Sequence, residues 1–241
     1  MDAPANESLD ALGQHPRRIG RGVFLATVLG GASSLFWGKA AWSRVSDALG
    51  GAERLVPLVP TTGWRIYTVA NTMPTFDPDT WRLGVGGLVR QPMSIDYDQL
   101  RSLPRHEQIS DFHCVTGWTV EHVHWAGVRL SDFLERVAPL PEAHGVEFVS
   151  AEKPYVDSLT LPQARLRRVM LAYEMDGRPL SREHGAPLRL VIPQMYGYKG
   201  VKWISQINLV TKPQPGYWEQ LGYDVDAWVG RSNNRPPLIG E

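Results

Sequence analysis

The chain has 241 residues, 25 Lys plus Arg against 25 Asp plus Glu, and 43% hydrophobic residues. Its length and apolar content suit one large domain with a short extension. Zero net charge excludes a global field that would draw the chain to nucleic acid, so an anionic ligand has to be held by a few local cations. A single cysteine, Cys114, excludes an intrachain disulfide and any CxxC motif, the haem-attaching CxxCH included.

Near the N-terminus, Arg17, Arg18 and Arg21 precede a run of apolar and small residues from Gly22 to Gly38 that Lys39 closes. Positive charge before a short apolar stretch is the pattern of an export signal, and the run is short for a comfortable membrane span. "RGVFLA" after Arg17-Arg18 is similar to a twin-arginine signal. Residues 1–50 are therefore expected to export the protein to the periplasm or another extracytoplasmic site, or to anchor it in a membrane through residues 22–38. Glycines and prolines in "ALGGAERLVPLVPTTG" (48–63) mark a linker, and the folded domain is expected over residues 64–241.

Short strands and helices then alternate without a repeat. "WRLGVGGLV" (81–89) predicts a strand, "DYDQLRSL" (96–103) a short helix with an acidic start, and "EQISDFH" and "TVEHVHW" two further strands. "LSDFLERVA" (130–138) predicts a helix capped by Ser131 with Glu135 reaching back. "VEFVSA" (146–151) and "VMLAYEM" (169–175) predict strands, the second closed by the turn Asp176-Gly177. "PLRLVIP" (187–193) and "VKWISQINLVT" (201–211) predict two more around a glycine-rich bend. Helices are too few for a doubly wound sheet and strands too mixed with helix for a sandwich, which leaves α+β.

Two stretches carry chemistry. In "HGAPLRLVIPQMYGYKGVKW" (184–203), Gly197 and Gly200 frame the bend, and Arg189, Lys199 and Lys202 are expected to project around it. Glycines let backbone N–H groups approach a ligand, and arginine with lysine suits a phosphate. The pattern is neither a Walker loop nor GxGxxG. In "SDFHCVTGWTVEHVHWAGV" (110–128), Cys114 stands where a strand gives way to a bend at Gly117. There it can be an inert buried thiol, a zinc or copper ligand with His122 and His124, or a thiolate on a redox metal.

Together, "FHCVTGW…VHWAGVRLSDFL" and "HGAPLRLVIPQMYGYKGVKW" resemble the sulfite-oxidase-type molybdopterin enzymes, and most of all the exported bacterial members such as methionine-sulfoxide reductase catalytic subunits. The resemblance covers roughly residues 64–225. It implies an α+β fold of mixed β-sheets with flanking short helices, and one molybdenum-molybdopterin per chain. Cys114 would then be the molybdenum ligand and the catalytic residue. Arg189 and Lys202, with the backbone of Gly200 and Val201, would hold phosphate and pterin. His184, Asn71 and Ser150 match further pterin- or metal-contacting positions.

The implied activity is transfer of an oxygen atom to or from a small substrate such as a sulfoxide or N-oxide, with electrons exchanged with a separate partner, a membrane cytochrome for example. The soluble domain is expected to be a monomer that binds no nucleic acid. "VTGW" stands where sulfite oxidases carry arginines, so the resemblance does not extend to sulfite as substrate. The aromatic stretch "GYWEQLGYDVDAW" (216–228) offers Tyr217, Trp218 or Tyr223 as a wall for the substrate cleft. The alternative reading is a non-catalytic exported metal binder using His113, Cys114, His122 and His124.

Overall fold

The structure is a computed structural model that describes residues 63–231. The segment expected to direct export, and nearly all of the linker, lie outside the described residues. Among the described residues no helix is long and apolar enough to cross a membrane.

The elements run β1 (Leu83–Gly87), β2 (Met93–Ile95), α1 (Tyr97–Arg101), β3 (His106–His113), β4 (Thr119–Arg129), α2 (Leu130–Val137), β5 (Gly145–Ser150) and β6 (Val156–Thr160). They continue with α3 (Leu161–Ala164), β7 (Met170–Met175), β8 (Arg178–Pro179), β9 (Arg189–Val191) and β10 (Ile204–Val210). One sheet has the order β2-β1-β10-β5-β6. Its β1–β10 pair is parallel and its other pairs antiparallel. The second sheet has the order β3-β4-β7-β8, with β9 also paired to β7. One mixed and one antiparallel sheet with a few short helices are the expected α+β class.

Strand β7 shows why its sequence is apolar throughout. Leu171 and Tyr173 enter the large core shared by both sheets and α2, whereas Met170 and Ala172 enter a smaller cluster with Val123, Trp125 and Val191. Successive side chains of a strand point to opposite faces, so a strand covered on both faces loses the apolar-polar alternation. The same alternation in β9 sends Leu190 into the large core and leaves Arg189 on the face of Val191 and Trp125.

Local signals account for several boundaries. Asp96 caps α1 by accepting from the Gln99 amide at 2.8 Å, while the Gln99 side chain accepts from the Asp96 amide at 2.9 Å. Asp176 and Gly177, both at positive φ, turn β7 into β8. Helix α2 departs from expectation: Ser131 does not cap it, and its hydroxyl instead donates to Asp132. Strand β4 runs directly into this helix, with the Leu130 amide donating to Val169 O at 3.0 Å, so the strand sets the start. Its stripe Leu130, Phe133, Leu134 and Val137 is buried at helical spacing. The last predicted strand begins at Ile204, because Trp203 takes φ +51 and donates its amide to Gly185 O.

Candidate functional site

Cys114 opens the turn between β3 and β4. Its amide donates to Trp118 O at 2.9 Å, and the Gly117 amide donates to Cys114 O at 3.0 Å. Buried Trp118 anchors the turn against Phe112, ring centroids 5.7 Å apart, and Trp64, 6.2 Å apart. The thiol is not entombed: Cys114 is partly exposed, its sulfur lies 3.1 Å from the Thr116 hydroxyl, and it lines a cleft.

The same cleft is lined by Arg189, Lys202, His184 and Gly200. It encloses about 900 Å³ of atom-free space, the open solvent at its mouth included. Arg189 is only 3% exposed and forms no ion pair among the described residues. Its guanidinium lies over Trp125 at 5.0 Å and Phe112 at 5.4 Å, and it donates to His184 O at 3.2 Å. Its Nε has no protein partner. Burial pulls its pKa down to about 10, so it stays charged at neutral pH.

Lys202 donates to Tyr67 O at 2.8 Å and Glu183 O at 3.3 Å, and its ammonium lies 4.1 Å from the Trp203 ring centroid. Burial first, and then the nearby Arg189, pull its pKa from 10.5 to about 7. Burial, Arg189 and Lys202 likewise lower His184 to about 4, which keeps the ring neutral at pH 7. Its buried Nδ1 has no partner. Two cations and a neutral imidazole thus face one space, with two buried nitrogens unpaired. Buried charge is costly unless a counter-charge completes it, and the arrangement fits an anion.

Gly197 makes the floor possible. A Cβ there would lie 2.1 Å from Phe112 Cζ, so a side chain would displace the ring beneath Arg189. The walls come from outside the sheets. The arm Trp64–Val69 is held by Glu152, whose Oε1 accepts from the Thr68 hydroxyl and from the amides of Val69 at 2.8 Å and Ala70 at 3.1 Å. A second segment brings Trp218 and Tyr223 to the cleft. Burial raises the Tyr223 phenol, and Cys114 and Tyr67 add smaller contributions.

The other expected site residues lie elsewhere or act indirectly. Ser150 is fully buried, donates to Lys202 O at 2.8 Å and accepts from the Glu152 amide at 2.9 Å. Val201 is buried in the large core. The amides of Gly200 and Val201 donate within the bend, to Gly197 O at 3.1 Å and Lys199 O at 3.0 Å. Asn71 is exposed and lies beyond Val69, the last cleft-lining residue of the arm. Lys199, expected beside the anion, is instead buried away from it. It donates to Asp157 Oδ1 and Ser158 O, both at 2.8 Å, and to Glu219.

The histidines do not join Cys114. His122 and His124 are both exposed, on either side of buried Val123, and neither lines the cleft that Cys114 lines; a register shift opposite β3 and φ +55 at His122 mark a bulge beside them. His113 Nδ1 lies 3.0 Å from the Thr119 hydroxyl. Among the described residues no group of three His, Cys, Asp or Glu could hold a metal ion. Glu152 and the arm escaped sequence analysis, because a lone acid in a loop has no spacing to read.

Comparison with known proteins bears on the cleft. The family model described as "Oxidoreductase molybdopterin binding domain" matches residues 70–218. The chain belongs to this family. It is 38% identical over 170 residues to the uncharacterized oxidoreductase YuiH of Bacillus subtilis (strain 168), covering 70% of this chain and 85% of that protein. It is 36% identical over 181 residues to the protein-methionine-sulfoxide reductase catalytic subunit MsrP of Gluconobacter oxydans (strain 621H), covering 68% of this chain and 58% of that one. Among solved structures, the sulfane dehydrogenase SoxCD from Paracoccus pantotrophus matches with TM-score 0.54 and 25% identity, over 58% of this chain and 41% of that one. The chain therefore spans less than two thirds of the reductase and of SoxCD.

The family makes the chain a molybdenum-dependent oxidoreductase of the sulfite-oxidase-like fold, with molybdenum-molybdopterin as its cofactor. The residues present fit that group. A phosphorylated pterin needs an anion seat, and Arg189 Nε and His184 Nδ1 are buried, unpaired and placed at one. A metal with soft ligands accepts a thiolate, and Cys114 lines the same space.

Proposed function

We propose that the chain transfers an oxygen atom between water and a small substrate such as a sulfoxide or N-oxide, with Cys114 Sγ as the protein ligand to molybdenum. Taking oxygen from a substrate consumes two electrons and two protons and releases the deoxygenated substrate and water; the reverse reaction returns them. The bound cofactor supplies the two-electron couple and the exchangeable oxygen.

The chain's own residues bind and orient. Arg189 and Lys202 hold the phosphate end, with Arg189 fixed in place by the rings of Phe112 and Trp125. Neutral His184 offers a hydrogen-bonding nitrogen to the pterin, and Gly200 lets the bend pack on β9, where a Cβ would lie 2.9 Å from Leu190 O. Ser150 acts through the Lys202 carbonyl. The aromatic walls exclude water from the reacting end. Electrons pass to or from a separate partner, and the arginine-led segment before residue 39 exports or anchors the chain.

The observation that supports this reading is that the one thiol and the two unpaired cations, far apart in sequence, line one cleft. Purified protein is expected to hold about one molybdenum and one pterin per chain by elemental analysis and pterin fluorescence. Cofactor-replete protein without molybdenum would overturn the reading. Loss of turnover with sulfoxides or N-oxides in Cys114→Ala, with the fold kept, tests the ligand assignment.

A further inference from the structure

The turn that carries Cys114 also brings a hydroxyl to its sulfur. Thr116 Oγ1 lies 3.1 Å from Cys114 Sγ, and that hydroxyl has no other partner among the described residues. Both residues line the cleft that holds Arg189 and Lys202. The backbone fixes the approach. The Gly117 amide donates to Cys114 O at 3.0 Å and the Cys114 amide to Trp118 O at 2.9 Å, so residues 114–118 close on themselves. Gly117 takes φ +88 with nothing within 4 Å of where its Cβ would lie, so backbone conformation, and not crowding, calls for glycine there. Buried Trp118 then seats the turn on Phe112 and Trp64.

No other side chain among the described residues is hydrogen-bonded to this sulfur. The neighbouring imidazole is taken, since His113 Nδ1 lies on the Thr119 hydroxyl. A free thiol and a hydroxyl can each donate to the other. A thiolate on a metal has no proton, so the one proton left between the two atoms is that of the threonine. Its hydrogen bond draws electron density off the sulfur and weakens donation to the metal. The more oxidised metal depends more on that donation, so the bond favours the reduced state; hydrogen bonds to ligand sulfurs set potentials in this way.

We propose that Thr116 is a positioning residue for oxygen transfer: its hydroxyl donates to the Cys114 thiolate, orients the sulfur, and raises the reduction potential of the metal that the sulfur holds. This rests on Cys114 as the molybdenum ligand and adds to that site the residue that tunes the ligand. The loaded site is then easier for its electron partner to reduce.

The test is an EPR-monitored redox titration of molybdenum-loaded parent, Thr116→Val, Thr116→Ala and Thr116→Ser. Thr116→Val keeps the branched shape and loses the hydroxyl. It should shift the reduction equilibrium about five-fold toward the oxidised metal, ~41 mV for a one-electron couple, and move the sulfur-to-metal charge-transfer band to lower energy. Thr116→Ala should do the same, and Thr116→Ser, which restores the hydroxyl, should return both readings to the parent's values. All three variants should load molybdenum as the parent does. A loaded Thr116→Val or Thr116→Ala with the parent's potential and band overturns the inference, as does a Thr116→Ser that behaves like Thr116→Val. Loss of metal from both Thr116→Val and Thr116→Ala also overturns it, because the hydroxyl would then hold the group instead of tuning it. In each of these cases a parent that carries molybdenum, and a Cys114→Ser that loses it, leave the oxygen-transfer reading standing; a parent that takes up no molybdenum overturns both.

Discussion

The Ser150 hydroxyl donates to the Lys202 carbonyl at 2.8 Å, and its oxygen also accepts from the Glu152 amide at 2.9 Å. One buried side chain thus fixes both the lysine of the anion seat and the acid that clasps the arm over it. Ser150→Ala leaves a buried carbonyl and amide without this partner, at a cost of about 1–3 kcal/mol. The expected outcome is a lower melting temperature together with reduced cofactor retention, measured by calorimetry and metal analysis on one preparation.

Cys114 contributes little to packing, since its thiol is partly exposed and contacts only Thr116 by hydrogen bond. Cys114→Ser should therefore shift stability by less than about 0.5 kcal/mol. Molybdenum content and turnover should fall together, at least ten-fold. A variant that keeps its metal and its rate would remove Cys114 from the site.

Lys202 gives the unloaded chain a defined pH response. Its folded pKa is lowered from 10.5 to about 7, so between those values the unfolded chain holds a proton that the folded chain lacks. Stability contributed by this residue is then complete above pH 10.5 and is lost as pH falls through 7. Parent and Lys202→Met melting curves should converge at high pH and separate toward pH 6. Sulfate, which does not titrate here, should bind the unloaded parent more tightly at pH 6 than at pH 9, and Lys202→Met should flatten that dependence.

Lys199 is the only cation in contact with the buried carboxylates of Asp157 and Glu219 among the described residues. Burial pushes Asp157 up to about 7 even so. Lys199→Met leaves two carboxylates facing each other out of water, a loss of about 3–5 kcal/mol by analogy with broken buried ion pairs. Adding Asp157→Asn and Glu219→Gln to that variant should recover much of the loss, as read from denaturant midpoints.

Some of this was legible in the sequence because it is local. Asp96 three residues before Gln99, the Asp176-Gly177 pair and the stripe of α2 each announce themselves by spacing. Cys114 and Arg189 were legible only through the motifs around them. Lys199 and Lys202 look alike in "YKGVKW", yet one is sealed against two carboxylates and the other lines the cleft. Nothing in the sequence separates them, because the deciding partners, Asp157, Glu219 and Tyr67, come from distant segments. His122 and His124 misled for a related reason: their spacing puts both on one face of β4, but that face is exposed and neither lines the cleft.

The arm Trp64–Val69 and the wall carrying Trp218 and Tyr223 are separated along the chain by both complete sheets, yet they border the same space. The receptacle is therefore complete only when both segments are present. A chain ending ahead of Trp218 would encode every strand of both sheets and keep the arm, yet lack one of the two borders of the cleft.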